Sequence, residues 1–197
     1  MQVIRAGRLA YAAAWDRQRE LVEARIAGLI PDTALVCEHD PVYTLGRRRD
    51  ARRNLLDPGD TPVFEVERGG DVTWHGPGQV VAYPIRLLEP LDLNAHLRQL
   101  EALMIGVCAS LGVVAVRDER NAGVWLNGRK IGSVGVACRR QVTWHGLALN
   151  VEPDLSGFRR IAPCGLDAVL LSSLAAEGVA CERDGVELRV IEALTAW

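Results

Sequence analysis

The sequence predicts an α+β domain, on three observations. Its 197 residues suit one unit with a substantial core. Helical and strand periodicities both occur along the chain. They follow one another without the regular βαβ rhythm that a doubly wound parallel sheet imposes. We therefore expect a single domain over residues 1–197, a mixed sheet with flanking helices, uninterrupted by linker or low-complexity sequence.

Val3-Ile4 opens a short strand. Over residues 9–29, Tyr11, Trp15, Val22, Ile26 and Leu29 fall roughly on one helical face, and Pro31-Asp32 stops the helix. Residues 34–37 make a short buried strand. Residues 44–62 are rich in Arg, Asp, Pro and Gly and read as a long loop, a length usually kept for function or mobility. Residues 63–67 alternate as a strand does, and 79–85 read as a central strand. Leu93, Leu97, Leu100, Met104, Val107 and Leu111 recur at helical spacing, with Asp92 as N-cap and His96 on the exposed side. Residues 113–116, 123–126, 131–138 and 142–151 are the remaining strands, the last two joined through Arg139-Arg140-Gln141 as a hairpin. Residues 186–194 form a final helix.

Twenty-three basic residues face twenty-five acidic ones, so bulk charge argues against general affinity for nucleic acid or membrane. Apolar runs stay well short of the roughly 18 residues a membrane span needs. Residues 1–5 lack an apolar signal core. The five cysteines (Cys37, Cys108, Cys138, Cys164, Cys181) are odd in number, widely spaced and without a Cys-x-x-Cys pair, which fits reduced thiols in a cytoplasm.

The residues that carry chemistry are concentrated. Residues 68–79, Arg-Gly-Gly-Asp-Val-Thr-Trp-His-Gly-Pro-Gly-Gln, hold four glycines and a proline, with Arg68, Asp71 and His75 interleaved. A plain turn needs one or two glycines. This density points to a loop whose backbone approaches a ligand closely. Val-Thr-Trp-His-Gly at 72–76 recurs at 142–146. Two matching strand–turn pieces lying side by side would present His75 and His145 to one pocket. Of all the basic residues only Lys130 is a lysine, in Asn-Gly-Arg-Lys-Ile-Gly-Ser-Val-Gly at the mouth of a strand. Lysine can give up its proton in a low-dielectric site, whereas arginine stays charged. Cys164, between Pro163 and Gly165, sits on a constrained bend that suits an exposed, reactive sulfur. Cys108 and Cys138 read as buried small residues, and Cys37 and Cys181 carry no motif. A free thiol has a pKa of roughly 8.5. A neighbouring ammonium would depress it, and a neutral lysine would accept its proton.

Several stretches occur together in family order: Arg68 to Asp71 running into Thr73-x-His75-Gly76-Pro77-Gly78-Gln79; Gly123-Val124-Trp125; Lys130-Ile131 with Ser133-Val134-Gly135; His145 to Asn150; and Pro163-Cys164-Gly165. In these the chain resembles the lipoyl(octanoyl) transferase, or LipB, family from about residue 38 to 174. The resemblance implies the biotin/lipoate protein ligase-like α+β fold. It also implies a reaction in which an octanoyl or lipoyl group passes from acyl carrier protein to Cys164 as a thioester. From there it passes to a lysine of a lipoyl domain, on the E2 subunits of 2-oxoacid dehydrogenases or the glycine cleavage H protein. Lys130 then matches the family's lysine, which lowers the cysteine pKa and moves protons. Substrate contacts fall on Arg68, Gly69, Gly70, Asp71, Val72, Thr73, Trp74 and His75, on Ser133, Val134 and Gly135, and on Gly146, Leu147 and Ala148. His145 takes a supporting place. Val134 and Leu147 would wall an acyl tunnel, where each buried methylene contributes roughly 0.8 kcal/mol. Neither cofactor nor metal is expected, and a monomer is. The chain departs from the family at Ala122, where many members carry Pro, and at Ser172, where Thr is usual.

The basic clusters 47–49, 52–53, 139–140 and 159–160 suit acidic carrier proteins, and we expect the loop 47–53 to dock one. Three other readings remain open from sequence. One is an ATP-dependent lipoate or biotin ligase of the same fold. Another is a metal hydrolase using His75, His145 and Cys164. The third is a carrier-binding module without turnover.

Overall fold

The computed structural model describes residues 1–162 and 168–197. Cys164, and with it the Pro163-Cys164-Gly165 motif, lies outside the described residues. A six-stranded sheet runs β1 (Gln2–Arg8), β2 (Thr33–Glu38), β6 (Gln79–Leu87), β9 (Val142–Asn150), β8 (Arg129–Arg139), β7 (Val124–Leu126). Its first pair is parallel and the others antiparallel. A smaller sheet has β3 (Val42–Leu45) at its centre, parallel to β4 (Val63–Glu65) and antiparallel to β5 (Val72–His75). The α+β class and the mixed sheet are as expected, with residues 79–85 at the sheet's centre.

Strand alternation divides the core into two layers. Ala34, Val36, Val80 and Ala82 pack with Leu100, Met104 and Val107 of α2 (Leu93–Ser110) and with Val186, Val190 and Leu194 of α3 (Arg183–Thr195). Leu35, Cys37, Val81, Tyr83 and Ile85 face the other way, onto Ala14, Leu21 and Val22 of α1 (Tyr11–Ile26). The central sheet is therefore covered on both faces. Among the described residues, no helix is long and apolar enough to cross a membrane.

The structure corrects several expectations. Helix α1 ends at Ile26 rather than at residue 29, because Gly28 takes a left-handed conformation (φ +71°). Gly28 N–H donates to Arg25 O and Leu29 N–H to Ala24 O, which closes the helix and leaves Leu29 78% exposed. Helix α2 does carry Asp92 as its N-cap, the carboxylate accepting Ala95 N–H at 2.9 Å. His96, however, is buried against the Trp197 ring, and desolvation lowers its pKa to about 4. Residues 113–116 do not form a strand. Val116 alone exchanges two 2.8 Å hydrogen bonds with Trp125, and Val114 points into solvent. The expected loop 44–62 begins inside β3, and the Gly-rich stretch 68–79 contains strand β5. The two Val-Thr-Trp-His-Gly copies are not neighbours: β5 lies in the small sheet and β9 in the large one.

Gly146 lies where β9 passes β6 at Pro84. A Cβ there would sit 2.3 Å from Ala82 O and 2.6 Å from Pro84 Cδ, so the pairing requires glycine. Gly146→Ala is expected to destabilise the fold by about 1–3 kcal/mol through overpacking. Gly106→Ala, on the open face of α2 with nothing within 4 Å of the new Cβ, is expected to stabilise by about 0.5–1 kcal/mol. Urea unfolding of both variants beside wild type measures the contrast. Equal midpoints would refute the packing account.

Candidate active site

Strands β8 and β9 supply the floor of the site. Ser133 pairs with Ala148, Val134 with Leu147 and Gly135 with Gly146. The Arg68–Asp71 turn lies across this floor. Gly69 N–H donates to Val136 O (2.9 Å), and the turn is stitched from behind by Arg47 N–H to Arg68 O and Arg48 N–H to Gly70 O, both 3.0 Å. Gly135 allows the approach, since a Cβ there would already stand 3.2 Å from Arg68 Cδ. The Arg68 guanidinium is buried and donates to Thr44 O (2.8 Å), Thr44 Oγ1 (2.9 Å) and Gly69 O (3.1 Å). Asp71 is buried beside it and accepts from Asn54 Nδ2 (2.6 Å) and from Val72 N–H (2.7 Å).

Two histidines enter the same cavity from different sheets. His75 Nδ1–H donates to Gln79 Oε1 (3.0 Å), and Gln79 Nε2 donates in turn to Asn150 Oδ1 (2.9 Å) and Trp74 O (3.3 Å). This tautomer leaves the His75 Nε2 lone pair available. Desolvation first, then the neighbouring His39, lower its pKa to about 3, so the ring is neutral near pH 7. Strand alternation alone would turn His145 away from Trp144. His145 instead adopts φ +55°, its N–H donates to Gln18 Oε1 of α1 (2.9 Å), and its ring meets both Tyr83 and Trp144. Burial, with Arg68 acting in the same direction, lowers its pKa to about 4, although Glu67 Oε2 lies 3.6 Å from Nε2.

Lys130 enters from the start of β8, 7% exposed, and its Nζ donates to Asn121 Oδ1. Its carbonyl accepts Ser172 N–H (2.9 Å), and Ser172 O accepts from Asn150 Nδ2 (2.8 Å). A continuous hydrogen-bonded chain thus runs from the His75 ring through Gln79, Asn150 and Ser172 to the Lys130 backbone. On the other flank of residues 163–167, Ala162 N–H donates to Asn54 O (2.8 Å), and Asn54 holds Asp71.

These parts enclose a cavity of about 200 Å³. Of the expected site residues, Arg68, Gly70, Asp71, Val72, Thr73, His75, Lys130, Ser133, Val134, Gly135, His145, Gly146, Leu147 and Ala148 all line it. Two do not. Gly69 is turned to β8 by its hydrogen bond, and Trp74 packs the opposite way, edge-on to Phe158 with centroids 5.3 Å apart. Trp74 lines a second cleft instead. Sequence reasoning missed Tyr11, Tyr83, Asn121 and Phe158 as lining residues. Tyr11 stacks on His75 with the rings 8° apart, a contact made by the first residue of α1 where the helix reaches the small sheet. His75 and His145 do share a pocket, as the repeated motif suggested, without their strands pairing. Among the described residues, no group of His, Cys, Asp and Glu side chains is arranged to hold a metal ion. Burial disfavours the thiolate at each described cysteine. It raises the thiol pKa of Cys37 to about 12 and of Cys108 to about 11, and raises those of Cys138 and Cys181 as well.

Known proteins resemble the chain at two levels. A family model described as the lipoyl protein ligase A/B catalytic domain matches residues 10–195. An octanoyltransferase of Acidothermus cellulolyticus is 50% identical over 177 residues, covering 87% of this chain and 79% of the relative. One of Mycolicibacterium gilvum is 48% identical over 200 residues, covering 95% and 83%. Among solved structures, a lipoate-protein ligase A bound with ATP has a TM-score of 0.77 at 12% identity, covering 99% of this chain and 84% of that one. A bi-partite lipoate protein ligase from Thermoplasma acidophilum has a TM-score of 0.75 at 15% identity, covering 100% and 83%. At such identities the structural likeness shows the fold alone, which is biotin/lipoate protein ligase-like. The sequence match reaches further: the chain belongs to the lipoyl protein ligase A/B catalytic-domain family.

Proposed function

We propose that this chain is an octanoyltransferase of protein lipoylation, with Cys164 as acyl carrier and Lys130 as the proton-transferring group. The donor is octanoyl-acyl carrier protein, and the acceptors are lipoyl domains of E2 subunits and of the glycine cleavage H protein. The observation that carries this reading is that Lys130 meets the Gly-spaced stretches of β8, β9 and the Arg68 turn in one cavity. The identity of the octanoyltransferase relatives, 50% and 48%, supports the same activity. Cys164 is favoured as nucleophile because burial disfavours the thiolate of each of the other four cysteines. The segments flanking residues 163–167 are anchored beside Asp71 and Lys130.

The chemistry has two balanced steps. The Cys164 thiolate attacks the carbonyl of the donor thioester, the bond to the carrier's sulfur breaks, and that sulfur leaves as a thiol with a proton from Lys130. The lipoyl-domain amine then attacks the acyl-cysteine. The amide forms, the Cys164 sulfur leaves, and Lys130 accepts the proton that the amine sheds. The acyl tail lies among Val81, Val134, Leu147 and Leu171, which line the cavity with apolar carbon. The neutral histidines bring no further cation into that space. A thioester donor already carries the activation that a ligase draws from ATP, so the two readings separate on one requirement.

Octanoyl transfer from acyl carrier protein to a lipoyl domain is expected to proceed without ATP. Lys130→Arg, which keeps the charge and loses the exchangeable proton, is expected to slow it by about 10²-fold or more. Transfer that requires free octanoate and ATP would replace this reading with the ligase one.

The basic loop bears on the donor. Arg47, Arg48, Arg49, Arg52 and Arg53 are exposed, and so are Arg159 and Arg160. The two groups are joined by Leu56 N–H donating to Arg160 O (2.9 Å), and the loop is fixed to the cavity's rim through Arg48 N–H and Gly70 O. Exposed arginines so placed, although Arg52 and Arg53 lie 3.8 Å from Glu65 and Asp50, suit an acidic carrier protein. Because Arg48 also lies 3.9 Å from Asp71, the variant that isolates docking is Arg49→Ser, Arg52→Ser, Arg53→Ser. At low salt its KM for octanoyl-acyl carrier protein is expected to rise roughly tenfold and to lose most of its salt dependence. A KM and salt slope equal to wild type would remove the docking role.

A further inference from the structure

Lys130 is held by a loop that sequence reasoning did not connect with it. Residues 118–123 return across the stem of Lys130, and the return is built to be close. Gly123 has φ +131°, and a Cβ there would stand 2.2 Å from Gly132 O and 2.7 Å from Lys130 Cε. The loop is clamped at three places. Gly123 N–H donates to the buried Glu101 carboxylate (2.9 Å). Asn121 O accepts Trp125 Nε1–H (3.1 Å). Arg120 covers the Trp125 ring at 4.4 Å and pairs with Asp118 at 2.7 Å. The loop thereby brings the Asn121 side chain to the cavity wall, where its Oδ1 accepts a hydrogen bond from Lys130 Nζ.

We infer that Asn121 is a positioning residue for Lys130, an uncharged acceptor that aims the lysine amine without fixing its protonation. The inference rests on the proton-transfer role given to Lys130 above. A neutral amine has two N–H groups and one lone pair. Anchoring one N–H on Asn121 restricts rotation about the last carbon. An amide oxygen serves equally when the group is an ammonium, because that form too donates. A carboxylate in the same place would hold the ammonium charged and resist the transfer. An aliphatic residue would remove this anchor from the amine. The choice of an amide therefore suits a lysine that changes protonation twice in each cycle.

Other charges surround Lys130. Arg68 and Asp71 line the same cavity, Glu101 stands behind Gly123, and Asp118 pairs with Arg120 in the loop. Arg129, the residue before it, lies 3.7 Å from Glu177. All of these stay in place when only position 121 is changed, so a change in pH dependence reports on that position.

The test compares Asn121→Asp and Asn121→Ala with wild type in the full chain, reading kcat for transfer between octanoyl-acyl carrier protein and a lipoyl domain across pH, and thermal unfolding. Asn121→Asp preserves size. Its ascending pH limb is expected to move up by about one unit, with the rate largely recovered above it, because the added carboxylate stabilises the charged lysine. Asn121→Ala is expected to lose on the order of tenfold in kcat, with the KM for acyl carrier protein within about twofold of wild type. An unmoved limb in Asn121→Asp overturns the inference, whether or not the rate has fallen, because a purely structural loop residue would lower the rate without shifting the profile. If Asn121→Ala does not fold, the Asn121→Asp profile decides alone. Failure here is separable from failure of the underlying reading. An inactive Lys130→Arg with an unmoved Asn121→Asp profile removes only the role of Asn121, whereas a fully active Lys130→Arg removes proton transfer by Lys130 itself.

Discussion

Gly135 and Gly146 face each other across β8 and β9, and the close approach of chain that this pair permits shapes the cavity wall. Above Gly135 the Arg68 side chain comes within van der Waals reach, while on the other side of the pair Gly146 fits against the Ala82 carbonyl and the Pro84 ring. Both glycines are required because neighbouring atoms already stand where their side chains would go, so the Arg68 turn and β6 close around the recess at this level. The neighbouring pairs, Ser133 with Ala148 and Val134 with Leu147, extend the recess along the strands toward Lys130. A sheet covered by helices on both faces holds this register firmly, since a slip by one residue would exchange its two apolar faces.

Burial then determines what the polar groups at the recess can do. Desolvation keeps His75 and His145 neutral, and it keeps the described thiols protonated. The buried charges are satisfied locally, Arg68 by Thr44 and Asp71 by Asn54 and its own turn. The hydrogen-bonded chain from His75 through Gln79, Asn150 and Ser172 ties the small sheet to the lysine end of β8. A comparable tie runs outside the cavity, where Glu38 accepts Gly78 N–H at 2.7 Å and meets Arg183 of α3 at 3.4 Å. The Gly-rich segment is thus anchored on both sides, which suits a wall that must keep its shape while an acyl chain enters and leaves.

Much of this was legible in the sequence because glycine spacing and an isolated lysine are local signals. The stretches 68–75, 133–135 and 146–148 converge on one cavity apart from Gly69 and Trp74, whose direction depends on pairing partners rather than on their own residue type. The small sheet was legible only at β4, which falls within the strand expected at 63–67; β3 and β5, four residues each, are strands because their partners lie beside them. Val113 to Val116 fail for the converse reason: they have strand composition, but the neighbour pairs with only one of them. His96 looked exposed on its own helix and is buried by Trp197, about half the chain away. Asn121 is a tertiary contact of the same kind. Gly28, by contrast, was a readable helix stop that the expected helix over 9–29 passed over, since its left-handed turn ends α1 as a C-terminal glycine does.

The central claim is that acyl transfer passes through a covalent thioester on Cys164 without nucleotide. Intact-protein mass spectrometry of wild type and Cys164→Ala, mixed with octanoyl-acyl carrier protein in the absence of ATP and acceptor, tests it most directly. The account predicts one octanoyl adduct on wild type, absent from Cys164→Ala and discharged when a lipoyl domain is added. An unmodified wild type, or an adduct that persists in Cys164→Ala, would contradict it.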